Sequence, residues 1–331
     1  MITRKLGNQG LEVSSIGLGC MGMSEFYGSH DDNQSFKVLS QAIESGVTFW
    51  DTSDIYGPKT NEELLGRYFN QNPQIRNQIV LASKFGVVRN SQGEFLGVDG
   101  SPEYVKRACE ASLKRLGVDH IDLYYQHRID PDVPVEETVG AMAELVKEGK
   151  IKYIGLSEAG VSTLKRASSE HPVSVLQSEY SLWSRHLESD ILPTCKELGI
   201  GLVPYSPLGR GFLTGAIKSR SDLEAGDWRL SNPRFSEQNF HHNLILVEQI
   251  DQLAKAKLCT SAQLALAWIL HKSNDYVPIP GTRNVERLIE NAHAVSIELS
   301  PKELKQIDQV VSSDLILGDR YPEAMMSTLD R

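Results

Sequence analysis

The sequence predicts an α/β fold: a (β/α)8 barrel of parallel strands with an N-terminal β-hairpin closing its bottom. Three observations carry that prediction. Eight short runs are almost continuously apolar, as strands buried on both faces must be. The segments between them carry helical spacing and helix stops. The length of 331 residues suits one barrel, which typically takes about 250 residues and often more.

Each element follows in order. ITRKLG and LEVSSIG alternate around Asn8-Gln9-Gly10 and read as the hairpin. Strands are expected at SIGLG (15–19), VTFWD (47–51), IVLASK (79–84), IDLYYQ (121–126), KYIGLS (152–157), SVLQS (174–178), GLVPYS (201–206) and YVPIPG (276–281). NQSFKVLSQAIESG has apolar residues at helical spacing and stops at Gly46. SPEYVKRACEASLKRLG starts with Ser101 as N-cap and Pro102 in the first turn, and ends at Gly117. VPVEETVGAMAELVKEGK, SDILPTCKELG (its Pro193 fits only near the start) and NVERLIENA are further helices. Residues 208–240 are Gly-rich, polar and longer than an ordinary connection, and read as a lid loop. Residues 1–331 otherwise show no linker or repeat and read as one domain.

An open doubly wound sheet is the alternative. It would use a G-x-G-x-x-G turn, and Gly17, Gly19 and Gly22 have that spacing. No good helix follows them, because SEFYGSHDD intervenes. The glycines are better read as letting backbone approach closely at the barrel mouth.

Composition excludes several classes. The chain is 40% hydrophobic and 23% charged; 34 Lys plus Arg against 43 Asp plus Glu give a formal net charge of −9. Such a chain is a poor general binder of nucleic-acid backbones. No run approaches the roughly 18 apolar residues of a membrane span, and the start lacks the apolar core of a signal peptide. Cys20, Cys109, Cys195 and Cys259 form no C-x-x-C pair and read as reduced thiols of a cytoplasmic protein. His241-His242 looks metal-like but reads as a solvated helix start, so no metal is expected.

In a (β/α)8 barrel the reactive groups lie at the C-terminal strand ends. There the sequence places Asp51 with Tyr56 beyond it, Lys84, Gln126-His127, Ser157-Glu158, Gln177, Tyr205-Ser206, and Gly281-Thr282-Arg283. Each has a bland reading. Asp51 could cap a turn, Tyr56 could pack, Lys84 could be a solvated strand end, and His127 could be a satisfied core histidine. Together they are hard to explain by packing, because a lysine on a buried strand end needs an anion, and Asp51 is at hand.

On these motifs the chain resembles the aldo-keto reductases over nearly its whole length. FWDTSDIYG carries their Asp-x4-Tyr spacing, VLASKFG the lysine and DLYYQHRID the histidine, while VPYSPLGRG and PIPGTRNVERLIEN match the cofactor segments. GCMGMS and EYSLW resemble the branch of plant perakine-type reductases and auxin-induced-protein-like members. The resemblance implies Asp51, Tyr56, Lys84 and His127 as a catalytic tetrad reducing carbonyls with NADPH. Chemistry agrees: a phenol is a weak acid at neutral pH, and an adjacent ammonium would stabilise its phenolate and lower its pKa. The resemblance further implies Gln177, Ser157 and Glu158 on the nicotinamide carboxamide, with Glu158 standing where the familiar pattern has Asn. Tyr205 would stack on the ring. Ser206, Pro207, Leu208 and Gly211 would line the pyrophosphate, with Gly22, Met23 and Asp51 also at the cofactor. Gly281, Thr282, Arg283, Arg287, Glu290 and Asn291 would form the 2′-phosphate and adenine clamp.

Met23, Phe26, Tyr27, Arg128, Trp183, Arg210 and Trp228 are expected to shape the substrate pocket, favouring aromatic or medium-sized apolar carbonyls. The expected partner is a small carbonyl compound, with no nucleic acid and no membrane, for a monomer or small homo-oligomer. Two rival readings remain open at this stage. One is a cofactor-binding sensor like the potassium-channel β subunits. The other is a lyase using Lys84 as a Schiff base, which Asp51 disfavours by keeping Lys84 protonated.

Overall fold

The computed structural model describes residues 1–27, 30–90, 92–311, 316–326 and 328–330. β1 (Thr3–Leu6) and β2 (Leu11–Ser14) pair antiparallel. Their Leu6, Leu11 and Val13 are buried against Phe49, Leu123, Val175 and Val203 of the barrel interior. The hairpin therefore plugs the barrel. It does so at the bottom, since Gly201, at the start of its strand, abuts the backbone of Leu6 and Gly7.

β3 (Leu18–Gly19), β4 (Phe49–Asp51) and β5 (Val80–Phe85) open the barrel. A hairpin the sequence did not announce follows: β6 (Val87–Arg89) and β7 (Phe95–Val98). The barrel resumes with β8 (Ile121–Gln126), β9 (Ile151–Ser157), β10 (Val175–Glu179) and β11 (Gly201–Tyr205). The order β3-β4-β5-β8-β9-β10-β11 is parallel throughout.

The eighth expected strand, 276–281, closes the ring through single bridges from Tyr276 to Leu202 and from Gly281 to Gly19. Its ladder is thin for a chemical reason. Pro278 and Pro280 have no N–H, so on the β3 side they only accept, from Gly17 N at 2.9 Å and Gly19 N at 3.3 Å. Two glycines of the G-x-G-x-x-G spacing, Gly17 and Gly19, belong to this closure. A Cβ on Gly17 would come within 2.8 Å of Ile279, and one on Gly19 within 2.9 Å of its carbonyl. They serve close approach between β3 and the closing segment, at the seam of the barrel.

The helices are α1 (Asp32–Glu44), α2 (Thr60–Gln71), α3 (Pro102–Leu116), α4 (Val135–Lys147), α5 (Val161–Glu170), α6 (Ile191–Leu198), α7 (Glu237–Ala256), α8 (Ser261–Lys272), α9 (Val285–His293) and α10 (Pro301–Val310). Ser101 caps α3 and Gly117 ends it at φ 64°, as the sequence indicates. Pro193 sits in the first turn of α6. His241 and His242 are exposed on α7, and no metal-binding cluster occurs among the described residues. Of the expected lid, 208–240, residues 209–235 form short 3-10 turns that bury Phe212, Leu213 and Phe235 in the core, and 237–240 open α7. No described helix is long and apolar enough to cross a membrane.

Candidate active site

Asp51 ends β4 opposite Ala82 of the adjacent β5, and Lys84 lies two residues further along β5 on the same face as Ala82, within reach of Asp51. Lys84 is fully buried, and its Nζ donates to Asp51 Oδ1, to the Thr52 carbonyl at 2.8 Å and to Tyr56 Oη at 3.3 Å. Burial pushes the Lys84 ammonium down, but Asp51 more than offsets it and its pKa is raised. A buried cation must find such donors' partners or neutralise, and here it stays charged against the phenol.

The second Asp51 oxygen accepts from Gln177 Nε2 at 2.8 Å. Gln177, expected on a carboxamide, thus also fixes the carboxylate. The His127 ring stands edge-on to Tyr56, 5.9 Å between centroids. Burial, then the charges of Arg128 and Lys84, hold its pKa well below the usual histidine value, so the imidazole is neutral. Its Nδ1 lies 3.1 Å from Ser53 Oγ, a contact the sequence did not flag.

One expectation is corrected. Lys84 does pull the Tyr56 phenol down, but burial outweighs it and the pKa is pushed up to about 12. The tyrosine is 8% exposed, and desolvation of its anion costs more than one ammonium returns.

Glu158 is the second surprise. It stands at the end of β9 in the left-handed region, φ 54°. Its carboxylate accepts from Ser178 Oγ at 2.8 Å, Glu179 N at 2.9 Å, Tyr205 Oη at 2.9 Å, and both terminal nitrogens of Arg320 at 3.1 Å. Against the cost of burial, Arg320 and Arg128 draw its pKa to about 2. Four of these donors meet Oε1, while Oε2 accepts from Arg320 alone. Tyr205 is likewise tied, its hydroxyl 2.7 Å from that of Tyr321. Neither Arg320 nor Tyr321 was foreseen, because nothing local in GDRYPE announces a return to residue 158.

The remaining expected residues divide. Ser157 Oγ accepts from Arg128 at 3.3 Å. Gly22 lies on the turn after β3, 3.3 Å from Tyr27 if given a Cβ. Ser206 (φ 48°), Pro207, Leu208 and Gly211 form the turn after β11. Gly281 and Arg287 are exposed, Thr282, Arg283 and Glu290 half-buried, and Asn291 buried. Arg283 donates to the Tyr27 carbonyl. Phe26 packs edge-on to Trp228, 6.5 Å apart, and Trp228 neighbours Tyr321 at 6.1 Å. The Arg210 guanidinium lies over both rings at 4.8 and 4.9 Å, and that of Arg229 over Tyr27 at 5.0 Å. Two residues depart from expectation. Met23 is buried beside Leu18 and Cys20. Trp183 is 3% exposed and stacked on Phe212 at 5.0 Å, and it lines the cleft beside Glu158, which does not reach Tyr56. A cleft of roughly 920 Å³ runs along the outer side of Glu158 and Arg320 and does not include Tyr56 or His127.

Comparison with known proteins bears on the family and the fold. A model described as the aldo/keto reductase family matches residues 15–312. A thermostable aldo-keto reductase solved with the inhibitor epalrestat is 31% identical, covering 94% of this chain and 100% of that one at a TM-score of 0.73. The glycerol dehydrogenase of Gluconobacter oxydans shares the fold, at 24% identity, TM-score 0.84, and 93% and 94% coverage.

Proposed function

The chain belongs to the aldo/keto reductase family, and from that premise we propose that it reduces aldehydes or ketones to alcohols with NADPH, Tyr56 giving the proton. One observation carries the reading. A buried ammonium, Lys84, lies between a carboxylate and a phenol, 3.3 Å from the phenol oxygen. NADPH, when bound, supplies the hydride to the carbonyl carbon. Tyr56 hydrogen-bonds the carbonyl oxygen and transfers its proton as charge develops there. Lys84 stabilises the resulting phenolate, and Asp51 holds Lys84. Ser53 Oγ lies 3.1 Å from His127 Nδ1 and 3.4 Å from Asp54 Oδ1; its hydroxyl turned to Nδ1 would leave the single imidazole N–H on Nε2, available to the substrate oxygen as an oxyanion donor.

The residues present suit the cofactor. Arg287 is exposed on the first turn of α9, with no carboxylate in ion-pair reach among the described residues, and Arg283 precedes the helix. A helix N-terminus flanked by arginines suits a phosphomonoester. Ser157, Gln177 and Tyr205 would hold the nicotinamide end. GCMGMS and EYSLW support a place near the perakine-type branch, and four free thiols suit a cytoplasmic setting.

The test is a panel of carbonyl compounds followed by loss of nicotinamide absorbance. NADPH should be favoured over NADH by about a hundredfold or more, chiefly in KM, from two charge-assisted bonds of roughly 1.5–3 kcal/mol each. Arg283→Ala should raise the KM for NADPH and leave NADH nearly unchanged. Equal KM values for the two coenzymes in the unmutated protein would remove the 2′-phosphate assignment, and no turnover at all would remove the reductase reading.

A further inference from the structure

The guanidiniums around the mouth are nearly all neutralised by the protein. Arg89 pairs with Glu25 at 2.7 Å, Arg210 with Glu179 at 3.0 Å, Arg229 with Asp227 at 2.6 Å, Arg234 with Glu179 at 3.1 Å and Arg320 with Glu158 at 3.1 Å. Arg128, beside His127, has no such carboxylate partner among the described residues. It follows His127 directly, at the end of β8, and is half-buried. Its Nη1 donates to the His127 carbonyl at 2.7 Å and to Ser157 Oγ at 3.3 Å, both neutral acceptors. No carboxylate among the described residues lies within ion-pair distance of it. Glu158, whose charge reaches it, is already claimed by Arg320.

A guanidinium carries five N–H donors. Two are used through Nη1, which leaves Nε and Nη2 without a protein partner among the described residues. Those two nitrogens form one edge of the planar fork, the edge that takes a carboxylate by two parallel hydrogen bonds. They are not among the sealed, unpartnered atoms of the interior, so a ligand can reach them. A cation drawn out of water is costly unless an anion faces it. This one sits one residue from His127, and its field reaches Tyr56.

We propose that Arg128 receives a carboxylate of the substrate, so that the preferred substrates are carbonyl compounds bearing a carboxylate a few carbons from the C=O. The proposal rests on the carbonyl-reduction reading. It narrows the apolar preference expected from the aromatics: Phe26, Tyr27 and Trp228 would cover the carbon skeleton while Arg128 fixes one end.

The experiment pairs substrates of matched size with and without the charge: succinic semialdehyde against butanal, and 4-carboxybenzaldehyde against 4-methylbenzaldehyde. The full-length protein should show a kcat/KM favouring the carboxylated member by about tenfold to a hundredfold, the scale of one charge-assisted bond. Arg128→Gln should abolish that ratio, chiefly through the KM of the carboxylated member. Arg128→Lys should restore part of it, as a point charge without the fork. Cofactor affinity, followed by quenching of protein fluorescence, reports whether each variant is folded. An unchanged ratio in Arg128→Gln overturns the proposal, as does an equal loss on both members with a shifted pH profile, which would make Arg128 a partner of Tyr56. A raised cofactor Kd with an unchanged ratio also overturns it and assigns the anion to the cofactor. No reduction of any member by the unmutated protein would instead strike the carbonyl-reduction reading itself.

Discussion

Two buried carboxylates end strands at the same mouth, and each meets a cation, yet they do different things. Asp51 meets Lys84 from the neighbouring strand, and the cation has a donor left over for the Tyr56 phenol. Glu158 meets Arg320 from a segment 162 residues later in the chain, and five donor contacts hold it. The first pair keeps a charge available for chemistry. The second uses its charge to hold a distant segment over the mouth. The same device can therefore be catalytic or mechanical, and what decides is whether the cation has a donor to spare for a reactive group.

The largest effect should come from breaking the first arrangement at its reactive end. Tyr56→Phe should lower kcat for carbonyl reduction by about 10²–10⁴-fold while denaturation midpoint and cofactor affinity stay near those of the parent. A loss of only a few-fold would remove Tyr56 as proton donor.

Breaking the second pair should show up in stability. Arg320→Ala leaves Glu158 buried without two of its bonds, a loss of about 3 kcal/mol, to be read from urea unfolding. The pH dependence sharpens this. Glu158 is drawn from an ordinary 4.5 to about 2, so the folded state binds its proton more weakly than the unfolded one. Its contribution is present above pH 4.5 and is lost as pH falls toward 2. Arg320→Ala should flatten that acid limb; an unchanged limb would mean that the other donors alone set it.

The smallest effect concerns the histidine between the two. Ser53→Ala removes the partner of His127 Nδ1, at the cost of roughly 1 kcal/mol, or about fivefold in kcat. Ser53→Thr should restore it. A threonine variant as slow as the alanine one would make the contact incidental.

The first pair was legible in the sequence because its members are fixed by one local rule. Strand ends share a mouth, and adjacent strands keep register, so Asp51 and Lys84 had to meet. The eight strands and the plugging hairpin were readable for the same reason, from period and turn residues. The second pair depends on where a non-repeating tail lands, which no period encodes. Arg320 and Tyr321 were missed for that reason, whereas the β6/β7 hairpin is only three and four residues a strand, with exposed Phe95 and Leu96 breaking the alternation. Trp183 failed differently: an aromatic just beyond a strand end reads the same whether it faces Tyr56 or stacks on Phe212. Only packing decides.

The seam at 276–281 bears on how the molecule is made. Its prolines leave the closing segment lightly bonded on one side, and it is synthesised after every other strand of the ring. A nascent chain stalled before that point would hold an open seven-stranded sheet with β3 and β11 as raw edges, the form in which sheets join neighbours. Refolding yield should therefore fall with protein concentration until this segment docks, and chaperone demand should be greatest in the interval before it leaves the ribosome.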